Sequence, residues 1–184
     1  MIVGLVVGVL GYFLSPKIKK HELVAYIIAT SLSIILLFTN SMKLLAELGM
    51  GFFIVVMYAG AFNNRSLIGK RLRSIRKEYS IIGFIFGFSH SAYYILDKDV
   101  EIVGLITLVL MIPLTITSFI SVRKKMVNKS WKLLHKLSYF VYFGLFLHVI
   151  LLEQYPYIIA FGLYLILKIV YLWKKFRYNK VKTE

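Results

Sequence analysis

Seven apolar runs, separated by short charged connections, occupy most of this 184-residue chain. The runs span residues 2–15, 23–38, 48–62, 79–96, 102–122, 133–152 and 157–173. Inside a bilayer every backbone amide must be satisfied within its own segment, so runs of this kind fold as α-helices. The alternating pattern of a membrane barrel is absent from the sequence. We therefore predict an all-α, polytopic membrane helical bundle of six to seven transmembrane helices.

The composition predicts one transmembrane domain over residues 1–184. Hydrophobic residues make up 59% of the chain, which is more apolar surface than a soluble domain of this length can bury. The connections are too short for a separate soluble catalytic domain. The first run is shorter than the ~20 residues of a full span. It predicts either a tilted seventh helix or a re-entrant segment.

Basic residues fall on alternate connections. Twenty lysines and arginines follow the first, third, fifth and seventh runs, whereas only Lys43 and Lys98 lie in the other connections. The positive-inside rule then predicts a multi-pass protein of the plasma membrane with a cytoplasmic C-terminus and an external N-terminus. The net charge of +15 is accounted for by this topology. We expect the protein to have membrane lipid as a partner and not to bind nucleic acid.

Histidines are the candidate metal ligands, because the chain has four of them and no cysteine. His90 in the fourth run and His148 in the sixth lie at similar depth, toward the external ends of helices that run in the same direction. Two neutral imidazoles that face each other across a bundle are the usual axial pair of a low-spin b-type haem. The alternative is that each imidazole hydrogen-bonds to a neighbouring helix.

A third histidine, His135, lies near the cytoplasmic end of the helix that carries His148. The thirteen-residue separation corresponds to a rise of ~20 Å, which is too far for one metal ion and suits two stacked sites, one per leaflet. On a straight helix the two side chains point ~140° apart. Either the two sites approach this helix from different sides, or the helix bends. His21 is predicted to be an interfacial residue.

Arg76 is placed where it can join the site of His135. It precedes His90 by fourteen residues, which puts it on the same helix face and ~21 Å lower. Arginine is not a haem ligand, but it pairs with haem propionates or with a flavin phosphate. The alternative is that Arg76 is one more cytoplasmic charge that sets the topology.

Glycines accompany two of the histidines at helical spacing. Gly83 and Gly87 precede His90 by seven and three residues, and Gly144 precedes His148 by four. These spacings place each glycine near the face of its histidine, where a flat porphyrin needs room. The alternative is close helix–helix packing through small residues, as in a Gly-x-x-x-Gly pair.

The stretch PLTITSFISVRKKMVNKSWKLLHKLSYFVYFGLFLHVI resembles the ferric reductase-like transmembrane domain. It is most similar to haem-binding membrane subunits of the MsrQ/YedZ type. The similarity lies in Pro-Leu-x-x-Thr-Ser near the end of the fifth run, a basic connection, Trp-x-x-Leu-His, and a second histidine thirteen residues on. The upstream pair of Arg76 and His90 matches the same pattern. The resemblance covers roughly residues 65–173, and residues 131–148 are its specific part.

The resemblance implies a core at about 48–173, extra N-terminal helices at 1–47 and a basic cytoplasmic tail at 174–184. It implies that His90 and His148 hold an outer haem b and that His135 belongs to an inner site. Arg76 stands where the related NADPH oxidases have a fourth histidine. The inner site is therefore expected to hold either a second haem b or a flavin, FMN or FAD, as in the related six-transmembrane metalloreductases.

The function implied by this resemblance is electron transfer across the membrane. The chain has no Gly-rich dinucleotide motif, so the donor is expected to be a cytoplasmic flavin reductase, a bound flavin or a quinol. The acceptor is expected to be an extracytoplasmic redox protein, such as a methionine sulfoxide reductase. The alternatives are ferric or cupric reduction at the outer face and, in a different class, a cofactor-free transporter or structural membrane protein.

Overall fold

A computed structural model of the chain describes residues 2–62 and 66–181, except for the side chains of 174–176 and 178–181. The α-helices are α1 (Ile2–Lys20), α2 (Glu22–Phe38), α3 (Met42–Ala59), α4 (Leu67–Ser74), α5 (Arg76–Leu96), α6 (Ile102–Ile116), α7 (Ile120–Arg123), α8 (Asn128–Leu134), α9 (Ser138–Leu151) and α10 (Tyr155–Val181). A 3₁₀ turn, His135–Leu137, joins α8 to α9. Arg65 is one of the basic residues that follow the third apolar run. It lies outside the described residues, as do residues 182–184 of the predicted tail.

The described residues form helices and short connections without a strand, so the all-α prediction is confirmed for them. Among these residues, five segments are long and apolar enough to cross a membrane. They are Ile2–Lys20, Met42–Ala59, Arg76–Leu96, Asn128–Leu151 and Tyr155–Trp173. The helices α2 and α6 are apolar but shorter, at 17 and 15 residues. Five such segments are compatible with a multi-pass membrane protein.

The helix α3 is the centre of the bundle. It packs most extensively against α5 and also contacts α1, α2 and α10. Where α1 crosses α3, a Cβ on Gly51 would lie 3.2 Å from the Cα of Gly4, so the two backbones touch directly. The first apolar run is therefore part of a 19-residue helix that is packed on α3. The start of α3 at Met42 precedes the predicted run 48–62, because Lys43 and Glu47 masked its apolar pattern.

Cationic side chains cover the end of α3 at the face where the basic connections lie, which we call the basic end. Nε of Arg73 donates a hydrogen bond to the Ala59 carbonyl at 2.9 Å. Nζ of Lys168, on α10, donates to the Gly60 carbonyl at 3.1 Å. The last carbonyls of a helix carry partial negative charge, so these cations stabilise the helix end. Lys168 thus reaches the basic end from within an apolar helix.

We call the opposite face the acidic end. Three helices end there with the same backbone geometry. Asn40, Lys98 and Glu153 have φ of 54°, 61° and 53° and follow α2, α5 and α9 respectively. In each case two backbone amides turn back onto the last turn, as Glu153 N does to Ile150 O at 3.0 Å and Gln154 N to Val149 O at 2.9 Å. This is the Schellman arrangement, in which a left-handed residue ends the helix. Three tight turns therefore shape the acidic end.

The connection between α6 and α8 differs from the prediction of one continuous run over 102–122. The helix α6 ends at Ile116, and its last turn is closed by Thr117, whose hydroxyl donates to the Pro113 carbonyl at 2.6 Å. The side chain of Trp131, on α8, donates its indole N–H back to the Thr117 carbonyl at 3.1 Å. The break therefore places α8 beside the end of α6.

Candidate functional site

A cavity of about 610 Å³ lies between α3, α5, α6 and α9 near the acidic end. We call it the acidic-end cavity. His90, His148 and Gly87 line it, together with apolar side chains that include Leu105, Leu108 and Leu145. Its volume is within the range of ordinary cofactor pockets, which are mostly apolar with a few polar groups. The structure thus brings together the two histidines that the sequence placed at matched depth.

The carboxylate of Glu101 holds His148 in this cavity. Nδ1 of His148 lies 2.6 Å from Oε2 of Glu101. The same carboxylate accepts hydrogen bonds from the amides of Val103, at 2.8 Å, and Gly104, at 2.6 Å, and so caps the N-terminus of α6. Burial alone would raise the pKa of Glu101, but the bonds from His148, Gly104 and Val103 lower it below its ordinary value. Glu101 is therefore an acceptor-only carboxylate at neutral pH.

His90 faces the same cavity without such a partner. Its Nδ1 is buried and makes no hydrogen bond. The ring of Tyr94 packs edge-on against the imidazole, with the ring centroids 5.0 Å apart. A buried polar nitrogen without a partner costs free energy unless a ligand or a water satisfies it. The described residues contain no group of three or more histidine or acidic side chains placed to hold a bare metal ion.

A second cavity, of about 630 Å³, lies at the basic end. We call it the basic-end cavity. His135 and Arg76 both line it, as their matched depth in the sequence predicted. The other cationic side chains in its wall are Arg73, Lys77, Arg123, Lys132 and Lys136. No acidic residue is among the described residues that line it, so its wall favours an anionic ligand.

Hydrogen bonds orient His135 within the basic-end cavity. Nε2 of His135 lies 3.1 Å from the Thr117 hydroxyl, and that hydroxyl already donates its single hydrogen to the Pro113 carbonyl. The hydroxyl must therefore accept from Nε2–H, which leaves Nδ1 of His135 as the nitrogen with a free lone pair. The indole of Trp131 stacks on the imidazole at a centroid distance of 4.2 Å. The guanidinium of Arg123 covers that indole at 4.4 Å.

The 3₁₀ turn between α8 and α9 changes the angle, measured around the helix axis, between the side chains of His135 and His148. A 3₁₀ helix turns about 120° per residue and an α-helix about 100°, so the three residues of His135–Leu137 add roughly 60°. The separation of the two side chains around the helix then falls from ~140° to roughly 80°. The segment therefore departs from a straight α-helix at this turn.

The two cavities meet at Phe53 and Met111, which line both of them. We call this pair the partition. Both side chains belong to one apolar cluster with Val141 and are almost fully buried. The cavities are thus stacked along the bundle, with the partition between them.

The glycines singled out in the sequence separate into two groups. Gly87 lines the acidic-end cavity, and a Cβ there would lie no closer than 3.8 Å to the Phe53 ring. A Cβ on Gly83 would lie 3.2 Å from the Phe52 Cβ, so Gly83 serves the contact of α5 with α3. A Cβ on Gly144 would overlap the Thr107 hydroxyl, so Gly144 serves the contact of α9 with α6. Neither Gly83 nor Gly144 is among the residues that line the two cavities.

Sequence reasoning did not single out Glu101, Thr117, Phe53 or Met111 as site residues. One signal was available for Glu101, because an acidic residue directly before an apolar run is a common helix N-cap. That signal predicts the cap but not the contact with His148, which lies 47 residues further along the chain. Comparisons with protein-family models, with curated proteins and with solved structures gave no match to this chain.

Proposed function

We propose that this chain is a haem b-containing membrane electron-transfer subunit. It passes electrons from a cytoplasmic flavin, flavoprotein or quinol donor to an extracytoplasmic acceptor such as a methionine sulfoxide reductase. As a subunit it belongs with the oxidoreductases and needs a separate donor partner. The observation that carries the proposal is the shared cavity of His90 and His148, two imidazoles on different helices of an apolar bundle.

The residues of the acidic-end cavity fit a bis-imidazole haem. Nδ1 of His148 is held by Glu101, so its Nε2 carries the free lone pair that a metal requires. His90 offers a buried nitrogen without a hydrogen-bond partner. Gly87 provides room beside His90. In this site the haem would supply a one-electron carrier, and the two histidines would be its axial ligands.

The basic-end cavity is proposed to hold the second redox group. Its lining supports either a haem b with His135 as its protein ligand or a flavin whose phosphate pairs with Arg76. In either case the cationic wall would bind the anionic groups of the ligand, propionates or phosphate. A relay at this position is needed because the leaflet separation of ~20 Å is long for a single electron hop.

The proposed topology follows the charge distribution. The basic-end cavity faces the cytoplasm, the acidic-end cavity faces outward, and the C-terminus of this plasma-membrane protein is cytoplasmic. The shorter apolar helices α2 and α6 complete a bundle of seven spans. Both pack on segments that are long enough to span: α2 packs on α5, and α6 packs on α9, which is part of the segment Asn128–Leu151.

A second candidate function is ferric or cupric reduction at the outer face. The observation that favours it is the pair of acidic side chains, Asp99 and Glu101, in the wall of the acidic-end cavity. Carboxylates attract metal cations. Reduced protein that is reoxidised faster by ferric chelates than by a methionine sulfoxide reductase would select this function over the first.

The proposal is tested with a pyridine-haemochrome and flavin assay per mole of purified protein. We expect at least one haem b per chain and, in His90→Ala and His148→Ala, loss of the low-spin spectrum. The matched control is His21→Ala, since His21 is exposed and lies outside both cavities. A wild-type protein without haem, or both variants with an unchanged reduced spectrum, would overturn the proposal and favour a cofactor-free membrane protein.

The role of the basic-end cavity is tested by reduction kinetics. We expect His135→Ala to slow reduction of the outer group by the physiological donor, while dithionite still reduces it completely. Reduction by the donor at the wild-type rate would show that His135 is not on the path.

A further inference from the structure

The acidic-end cavity contains a hydrogen-bonded unit of Glu101, Gly104 and His148, and the proposed function does not say how this unit would affect the redox properties of a haem. We propose that Glu101 is a positioning residue, which fixes the tautomer and ring orientation of His148 and thereby lowers the midpoint potential of the haem held there. This inference rests on the proposed function. It adds a residue from the connection between α5 and α6, at one edge of the cavity, to the pair of histidines.

The hydrogen bonds of the carboxylate determine the tautomer. Oε1 of Glu101 accepts from the Val103 amide, and Oε2 accepts from the Gly104 amide. An ionised carboxylate has no hydrogen to donate, so the contact of 2.6 Å with Nδ1 of His148 requires the imidazole to donate. The neutral ring then carries its only hydrogen on Nδ1. Nε2 is left with the lone pair.

The carboxylate is itself held in place. Glu101 is the N-cap of α6, and two amides of the first helical turn fix both of its oxygens. The N-terminus of a helix stabilises a negative charge at this position. The carboxylate of Glu101 would therefore not need to move when His148 binds the iron of the proposed haem.

Gly104 leaves the space that the contact needs. A Cβ on Gly104 would lie 3.1 Å from Oε2 of Glu101 and 3.1 Å from both Cε1 and Nδ1 of His148. A Cβ at this position would require the imidazole or the carboxylate to shift by a few tenths of an ångström. The local backbone is thus built to bring these two side chains together, which distinguishes the contact from an incidental ion pair at the surface.

The expected effect on the haem follows from ligand basicity. A carboxylate that accepts from the distal nitrogen of a metal-bound histidine makes the imidazole a stronger donor. A stronger donor favours the more positive, oxidised iron, so the midpoint potential falls. Among the described residues, His148 pairs with a carboxylate and His90 does not. The two axial ligands would therefore be unequal, and His148 would be the more basic of them.

The test compares the haem midpoint potential of the wild-type protein with that of three variants. Glu101→Gln keeps the side-chain length and removes the charge. Glu101→Asp keeps a good N-cap, but its carboxylate is one methylene too short to reach His148. The control is Asp99→Asn, which removes an acidic charge from the wall of the same cavity without a contact to His148. The second readout is the ¹⁵N chemical shift of the His148 ring in haem-free protein, which reports the tautomer.

We expect both Glu101 variants to retain haem and to be reduced more easily, with the one-electron reduction equilibrium shifted at least tenfold, or about 59 mV. Asp99→Asn should shift the haem midpoint potential by less than a third of that amount. The Nδ1–H tautomer of His148 should be lost in Glu101→Asp. Unchanged potentials in the Glu101 variants, or an equal shift in Asp99→Asn, would overturn this inference while haem binding still supports the proposed function. A wild-type protein without haem would instead overturn the proposed function.

Discussion

Trp131 and Thr117 are joined across the break between α6 and α8 by a hydrogen bond of 3.1 Å from the indole N–H to the backbone carbonyl. The same two residues also contact His135, Trp131 by stacking and Thr117 through its hydroxyl. The break after α6 and the side chain of Trp131 therefore determine the position of His135. This is the only histidine among the described residues that line the basic-end cavity.

The first prediction concerns the hydrogen bond from the Trp131 indole to the Thr117 carbonyl, which we call the Trp131 link. Trp131→Phe keeps an aromatic ring under Arg123 but removes the N–H donor, and it leaves the Thr117 carbonyl without that partner. We expect the free energy of unfolding to fall by about 1–2 kcal/mol, measured by thermal unfolding in detergent. Trp173→Phe is the control, since Trp173 is 54% exposed on α10. Equal effects of the two substitutions would contradict a specific role for the Trp131 link.

The second prediction uses two glycines in neighbouring helices. In Gly144→Ala the new methyl group would overlap the Thr107 hydroxyl, so α9 must move away from α6. We expect a loss of about 1–3 kcal/mol. In the control, Gly162→Ala, nothing lies within 4 Å of the new Cβ. The Gly162→Ala variant should be as stable as the wild-type protein or more stable, because alanine lowers the backbone entropy lost on folding.

A double variant makes the second prediction specific. Thr107→Ala removes the hydroxyl that the Gly144→Ala methyl would meet. Combining the two should recover part of the lost stability, so that in a double-mutant cycle the double variant is destabilised by less than the sum of the two single variants. Strictly additive effects would show that the contact does not limit the approach of α6 and α9.

The third prediction concerns the helix ends at the acidic end. Glu153 is a non-glycine residue with φ of 53°, a conformation that glycine adopts more readily. Glu153→Gly should therefore raise the free energy of unfolding by up to about 1 kcal/mol. The neighbouring substitution Gln154→Gly should lower it, because φ at that position is not positive. A destabilising effect of Glu153→Gly would contradict the Schellman geometry.

The fourth prediction concerns topology. The chain has no native cysteine, so single introduced cysteines report their own accessibility. In intact cells, Gln154→Cys should react with a membrane-impermeant maleimide, whereas Lys129→Cys should react only after the cells are opened. Labelling of Lys129→Cys from outside would reverse the proposed orientation.

The sequence predicted which pairs of residues share a depth. Helical rise and chain direction alone place His90 beside His148 and Arg76 beside His135, and each pair lines one cavity. This works because every residue of a transmembrane helix adds about the same rise. Depth is therefore a simple function of sequence position in this class of protein.

The sequence did not determine which glycines face a cavity. Gly83 and Gly87 lie four residues apart on one face of α5, yet only Gly87 lines the acidic-end cavity. Small residues have the same pattern whether a helix or a ligand lies against them. The contact of Glu101 with His148 was also beyond prediction, since it depends on how a connection folds across the end of a helix and not on periodicity.

The partition of Phe53 and Met111 has an electrical consequence. These two side chains line both cavities, so under the proposed function an electron that passes from one redox group to the other passes Phe53 and Met111. Each elementary charge that crosses the full potential gains or loses about 2.3 kcal/mol per 100 mV. Under the proposed orientation, in a cell with a negative interior, an electron that moves past Phe53 and Met111 toward the acidic end would move away from the negative side, so the membrane potential itself would favour outward transfer.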